Sequence, residues 1–332
     1  MSAHATLLRA VGLEKHFVVP RPFSMKTVFA TPPPRIVKAV DGVDLEVSAG
    51  ETVGLVGESG CGKTTMGRLI LRATLPTGGR VEFAGRDVAG LHGGDLFAYR
   101  RQVQIIYQDP FTSLNPRMTA RRIVAEPLRV HAIVPAREVE DRVARLLQRV
   151  GLDPSYADRY PHEFSAGQVK RVAIARAIAV GPRLLVADEA VSGLDVSVKA
   201  QILNLLQDLQ EELGLTYLFI SHDLGVVQYV CHTVAVMYLG RIVELGTPSM
   251  IFEAPRHPYT RALLQSFPRM KSEAPDFTLR ATLEGEPPSP IDLPRGCRFQ
   301  ARCPIRRPHC EEREPELLEL APGHRVACFE AR

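Results

Sequence analysis

The run "RLLVADE" (183–189) is apolar along its length and then closes on two acids. A second such run, "LTYLFISHD" (215–223), follows a helical stretch, "VKAQILNLLQDLQEELG" (198–214). Strand, helix and strand in that order, with strands that are continuous apolar runs, predict a parallel sheet covered on both faces. A third apolar strand, "ETVGLVG" (51–57), enters a glycine-rich turn and then the helix "TTMGRLILRA". Residues 6–55 instead alternate apolar and polar, as in "IVKAVDGVDLEV" (36–47), and predict antiparallel strands; "GGRVEFAGRDV" (78–88) predicts a hairpin. From about Asp109 to Val180 the period is helical, as in "AREVEDRVARLLQRVGL" (136–152), which stops at Gly151. Within that stretch "HEFSAGQVKRVAIARA" (162–177) reads as a loop turning into a helix. Ser165 is placed to cap it, and Val169, Val172, Ala173 and Ala177 fall on one face. Two short strands, "TVAVMYL" and "GRIVELG" (233–246), follow.

Punctuation divides the chain. "VVPRPFSMKTVFATPPPR" (18–35) interrupts the first strands and predicts an exposed loop without regular structure. After about Gly246 the sequence becomes rich in proline and then in cysteine, so two regions are expected, 6–246 and 247–332. There is no internal repeat. The 332 residues are 45% hydrophobic and 23% charged, ordinary for a cored domain or two. The net charge of +4 is dispersed, so nothing in it calls for nucleic acid as a partner. No apolar run reaches the roughly 18–20 residues of a membrane span, and the first residues carry no signal-peptide core. The expectation is a cytosolic chain whose six cysteines are not paired as disulfides.

"GESGCGKT" (57–64) fits G-x-x-x-x-G-K-[ST] between a strand and a helix. Its glycines let backbone N–H groups approach phosphate oxygens, Lys63 reaches the β/γ-phosphates, and the Thr64 hydroxyl ligates Mg²⁺. Asp188 and Glu189 end the run "LLVADE"; the first can hold Mg²⁺ through its water shell and the second can polarise an attacking water. His222 follows the next strand, and Gln108 ends the apolar run "IIYQ". The Ser-Ala-Gly start at 165–167 is a second anion site on the same chain. Cys61 lies at a helix N-terminus beside Lys63, where a lowered thiol pKa is expected. Cys297, Cys303, Cys310 and Cys328 are separated by five, six and seventeen residues. That spacing suggests a metal staple but matches neither zinc ribbons nor the common ferredoxin patterns, so from spacing the metal stays open.

Taken in order, "GESGCGKT", "YQDP", "FSAGQVKRVAIARA", "LLVADEAVSGLDVS" and "ISHD" resemble the ATP-binding-cassette (ABC) ATPases. "YQDPFTSLNPRMT", "RYPHEFSAGQ", "VMYLGRIVELG" and "HPYTRALL" resemble, within that family, the ATPase subunits of bacterial oligopeptide/dipeptide importers. The resemblance spans about Leu7 to Cys328 and implies an α/β P-loop NTPase cassette. Its parts would be a parallel core sheet, an antiparallel β-subdomain, a helical subdomain over about 109–180 and a small cysteine-rich C-terminal region. It implies ATP and Mg²⁺ bound by Gly57, Glu58, Ser59, Gly60, Cys61, Gly62, Lys63, Thr64 and Thr65, with Gln108 and Asp188 at the metal. Glu189 and His222 would be catalytic, and Phe17 would stack on adenine. Ser165, Gly167 and Gln168 would close on the γ-phosphate held by another subunit, with Asp195 in the loop crossing that interface. The implied partners are two membrane permease subunits, a paralogous second ATPase and an extracytoplasmic solute-binding protein, at the cytoplasmic face of the plasma membrane. The resemblance further implies a [4Fe–4S] cluster on the four C-terminal cysteines, with zinc as the alternative.

Two departures from the family pattern stand out. Ala166 adds a methyl where the family usually has glycine, and "DEAVSGLD" lacks the usual Pro-Thr. Importers of nickel, glutathione or another small solute, and soluble non-transport cassettes, are the rival readings. Paired cassettes or long coiled-coil insertions would mark the latter, and the sequence has neither.

Overall fold

The structure is a computed structural model and describes residues 5–19, 34–266 and 288–331. Most of the proline-rich stretch, and residues 267–287 of the C-terminal region, lie outside the described residues. The strands are β1 (Thr6–Val19), β2 (Arg35–Ser48), β3 (Thr52–Val56), β4 (Gly78–Phe83), β5 (Arg86–Asp87) and β6 (Val103–Ile106), then β7 (Leu184–Asp188), β8 (Thr216–Ile220), β9 (Thr233–Tyr238), β10 (Arg241–Gly246), β11 (Leu318–Ala321) and β12 (His324–Val326). The helices are α1 (Lys63–Ile70), α2 (Gly93–Gln102), α3 (Pro110–Ser113), α4 (Ala120–Val130) and α5 (Val139–Arg149), then α6 (Ala166–Ile178), α7 (Val196–Leu213), α8 (Leu224–Val230), α9 (Pro248–Phe252), α10 (Pro258–Gln265) and α11 (His309–Glu312). The chain forms two compact units, one of Met1–Leu7, Val47–Val53 and Gly90–Ser221, the other of Leu8–Glu46, Gly54–Ala89 and His222–Arg332.

In the first unit β6, β7 and β8 form the parallel ladder expected from the apolar runs, with Ile106 opposite Ala187 and Asp188 opposite Ile220. The edge strand β6 was read only as an apolar run before a helical stretch. Its four residues, three of them β-branched, have strand propensity but are too few to show a period, and they pair with β7. The helical stretch is α3 to α6, with short 3₁₀ turns between. α4, α5 and α6 pack on one another through Ile123, Val124, Leu128, Val143, Leu146, Leu147, Val169 and Val172, all buried. α7 starts on the side chain of Asp195 and ends at Gly214 in the left-handed conformation, which a glycine C-cap allows.

In the second unit one antiparallel sheet runs β2-β1-β4-β5, with β4 and β5 forming the predicted hairpin. Strands β9, β10, β12 and β11 lie side by side in that order as part of the other sheet, and each of these pairings is antiparallel. The last two strands were not anticipated: all four residues of β11 are exposed, so no alternation marks it. Glu244 on β10 is fully buried and satisfied by the backbone N–H groups of Arg256 and His257 and by His324 Nε2. Rings of Tyr238, Tyr259 and Phe299 pack together beside it. Among the described residues no helix is long and apolar enough to cross a membrane.

Candidate functional site

In the second unit, β3 delivers the chain into the loop 57–62, and α1 begins at Lys63. Gly57 and Gly62 have φ of +151° and +116°, and a Cβ at either would drive into a carbonyl oxygen, of Met237 and Ala39 respectively. Only glycine lets the loop lie this close to its neighbours. Gly240 N–H donates to Cys61 O at 2.8 Å and fixes the loop's far side. Lys63 is buried, and its Nζ donates to the carbonyl oxygens of Gly57 (2.7 Å) and Glu58 (2.9 Å). Ser59, Gly60 and Thr64 are exposed and Thr65 is half-buried, so the loop's open side carries N–H and hydroxyl donors.

Cys61 corrects the sequence expectation. Burial pushes its thiol pKa up, and the nearby Lys63 ammonium opposes this without reversing it. Phe17, on β1, is 42% exposed with Lys15 Nζ 5.1 Å from its ring centroid, so it is not a core aromatic. His222 is exposed and directly precedes α8, whose N-cap is Asp223.

In the first unit, Asp188 and Glu189 close β7 and Gln108 lies two residues past β6. Because the strands are parallel, the three share the C-terminal edge of that ladder, where open α/β sheets bind ligands. Glu189 has φ +48°, left-handed for a residue with a Cβ, while its N–H still donates to Ile220 O at 2.9 Å. Such backbone persists only where its surroundings over-determine it, and it turns consecutive acids to different sides of the chain.

The 165–168 start of α6 is a full capping box. Ser165 Oγ accepts from Gln168 N–H at 3.3 Å, and Gln168 Oε1 accepts from Ser165 N–H at 3.0 Å. Gly167 packs on α7, where a Cβ would come within 2.6 Å of Val198 Cγ1. Ala166 is exposed, so its methyl is accommodated within the chain. Asp195 is exposed and caps α7, accepting from Val198 N–H (2.9 Å) and Ser197 Oγ (2.7 Å); these bonds hold its carboxyl below the usual range.

Cys297, Cys303, Cys310 and Cys328 line one small cavity of the second unit, with His257, Pro258, Phe299 and Ile305. Burial pushes Cys297 up to about 12 and Cys303 to about 11, and the neighbouring thiols add to both shifts. Backbone N–H groups of Phe299, Ile305, Glu330 and Ala331 point at three of the sulfurs. Four converging thiols are a donor set for soft metals. A single tetrahedral zinc holds its sulfurs about 3.8 Å apart, from Zn–S of about 2.3 Å. Among the described residues, Glu14, His16 and Asp41 each bring one ligand atom within 4.8 Å of the others. Asp41 itself is already engaged by Arg298, His16 and Lys38.

Three residues went unassigned at the sequence level. Lys170 is fully buried in α6 and donates to Tyr107 O (3.0 Å) and Gln108 O (2.8 Å), holding the Gln108 loop; burial lowers its pKa to about 8. The signal was there, since position 170 falls on the same helical stripe as Ala173 and Ala177. Tyr259 and Arg302 contact Glu58 of the phosphate loop from distant sequence, and nothing local announces either.

These features define a phosphate-loop ATPase of the cassette type. The profile of the ABC transporter family matches residues 40–192, and that described as "Oligopeptide/dipeptide transporter, C-terminal region" matches 243–310. The chain is 51% identical over 293 residues to the oligopeptide transport ATP-binding protein AppF of Bacillus subtilis, covering 88% of this chain and 89% of that one. It is 47% identical over 324 residues to the dipeptide transport ATP-binding protein DppF of Escherichia coli, covering 97% and 94%. Among solved structures, the dimeric ATP-binding cassette MJ0796 bound to ADP and Pi aligns with a TM-score of 0.63 at 27% identity, over 73% of this chain and 99% of that one. The chain belongs to the ABC transporter ATPases and is an ATP-hydrolysing transport subunit.

Proposed function

We propose that this chain hydrolyses ATP to drive uptake of oligopeptides or dipeptides through partner permeases, from the cytoplasmic face of the plasma membrane. The observation that carries the reading is the match to peptide-importer ATP-binding proteins across both the cassette and the C-terminal region. A paralogous ATPase and an extracytoplasmic solute-binding protein complete the assembly. On this reading residues 6–246 are the cassette and 247–332 an accessory region.

ATP lies against Gly57–Thr65 with its adenine on Phe17. Lys63 neutralises the β/γ-phosphates, and Thr64, Gln108 and Asp188 hold Mg²⁺, which screens phosphate charge when bound. Glu189 orients the attacking water and accepts its proton, while His222 hydrogen-bonds the γ-phosphate. Ser165, Gly167 and Gln168 present helix N–H groups to the nucleotide held by the second ATPase, and Asp195 lies at that boundary. The four cysteines hold a [4Fe–4S] cluster that ties the C-terminal segment together, with one zinc as the alternative; their all-sulfur set around one cavity supports a soft-metal site of either kind.

Co-expression with the cognate permeases tests the transport reading. The complex should copurify, and peptide-loaded binding protein should stimulate its ATPase in vesicles, with Lys63→Ala inactive. Stimulation by nickel or glutathione instead would move the substrate while keeping the ATPase. Anaerobically purified chain should be brown, and colourless protein with one stoichiometric zinc would replace the cluster.

A further inference from the structure

The phosphate loop is anchored from a direction its own motif does not explain. Glu58, its second residue, faces Arg302 fork to fork: Nη1 is 2.8 Å from Oε2 and Nη2 is 2.9 Å from Oε1. The Arg302 side chain is 5% exposed and that of Glu58 21%, so water screens the pair poorly. Glu58 N–H donates to Tyr259 Oη at 2.8 Å, and Glu58 O accepts from Lys63. One residue of the loop is thus held at its N–H, its carbonyl and its carboxylate.

Arg302 ends the short turn Gln300–Arg302, between Cys297 and Cys303. Its N–H donates to Phe299 O at 3.0 Å, and Cys297 N–H donates to Cys310 O at 2.8 Å. The turn that gathers the cysteine sulfurs therefore also aims the guanidinium. Two physical effects follow. A glycine-rich loop loses much conformational freedom when it wraps phosphates, and anchoring Glu58 removes part of that loss beforehand. A bare carboxylate in the loop would also repel a triphosphate, and Arg302 cancels its charge.

We propose that Arg302 and Tyr259 are positioning residues for the phosphate loop, through which the cysteine-bearing segment sets the chain's affinity for ATP. The proposal rests on the reading that residues 57–65 bind ATP. ATP titrations of the full chain, read by a fluorescent ATP analogue and its displacement, test it. Arg302→Ala should raise the ATP Kd by about tenfold or more, the size expected for lost hydrogen bonds to a charged group, and Arg302→Lys should recover part of it. KM for ATP should rise in step, with a smaller change in kcat. In a Glu58→Gln background Arg302→Ala should add little, because the charge it neutralised is gone. Cys303→Ser should raise Kd in the parent chain and add little to Arg302→Ala.

Wild-type Kd in Arg302→Ala, or strictly additive effects of the Arg302 and Glu58 changes, would overturn the positioning role. An unchanged Kd in Cys303→Ser would overturn the control by the cysteine segment. If Lys63→Ala binds ATP as the parent does, it is the reading of the loop that fails. Arg302→Lys keeps the test decisive should the alanine variant misfold.

Discussion

Cys61 lies three residues past Glu58 and two before Lys63, and its thiol is 4% exposed. A raised pKa and a closed environment both work against thiolate formation, each unit of pKa removing about tenfold of the reactive form. Iodoacetamide at pH 8 should therefore leave Cys61 unlabelled in the folded chain and label it after unfolding, as read by peptide mass mapping. ATP protection of a reactive Cys61 would contradict the burial argument. Glu189 gives the opposite case, because its left-handed backbone helps set the direction in which its side chain leaves the chain. Glu189→Gln keeps that backbone and should lower ATP turnover by about 10²–10⁴-fold while nucleotide binding persists. Stopped-flow binding beside steady-state hydrolysis in the assembled complex separates the two. The Ser165 cap was legible in sequence because a cap is a four-residue event, whereas the capping role of Asp195 came only with the structure. The Cys61 environment was not legible, because residues such as Gly240 and Tyr259, which the fold brings beside it, lie far along the chain.

α6 shows what a helix adds to a motif. Its capping box and apolar face follow from local sequence, but its tie to the Gln108 loop runs through the buried ammonium of Lys170. Lys170→Met would strand two carbonyl oxygens, each costing about 1–3 kcal/mol, and should lower stability in urea by that order. The pH dependence has a definite sign. Burial holds the folded pKa near about 8 against an ordinary 10.5, so the folded chain binds the proton more weakly than the unfolded one. The favourable contribution of the neutral amine is complete above 10.5 and is lost as pH falls through 8. The advantage of wild type over Lys170→Met should accordingly grow between those values. Gly167 fixes the other face of the same helix: Gly167→Ala must displace Val198 and should destabilise, whereas Ala166→Gly, on the exposed side, should change turnover at the shared site more than stability. α7, β7 and β8 could be read in advance from their periods and lengths. β6 and β11 could not, being four-residue strands that owe their existence to a neighbour.

Across the molecule, the second unit is joined by charges far apart in sequence. Arg298 reaches Asp41 on β2, the carbonyl of Leu239 and Glu314, and Arg241 also meets Glu314 at 3.2 Å. Burial raises the Asp41 pKa, but hydrogen bonds from Arg298 and His16 outweigh it and hold the carboxyl at about 2. Asp41 thus stabilises the fold above its ordinary 3.8, and that contribution is lost as pH falls to about 2. Arg298→Met leaves the buried carboxylate with only His16 and Lys38 beside it and should cost up to about 3–5 kcal/mol, measurable by urea unfolding at pH 7. Arg298→Met with Asp41→Asn should recover part of the loss. No period or motif marks this pairing, because two single charges carry no pattern. The same arrangement has a consequence for synthesis. β1 and β2 leave the ribosome early, yet Arg298 and β12, which complete their unit, are translated after the whole of Gly90–Ser221. At about 5–20 residues per second the first strands wait on the order of 10 s or more for their last partners. A nascent chain therefore carries the Asp41 carboxylate of β2 without its Arg298 partner for that whole time, and that interval is where a chaperone has most to shield.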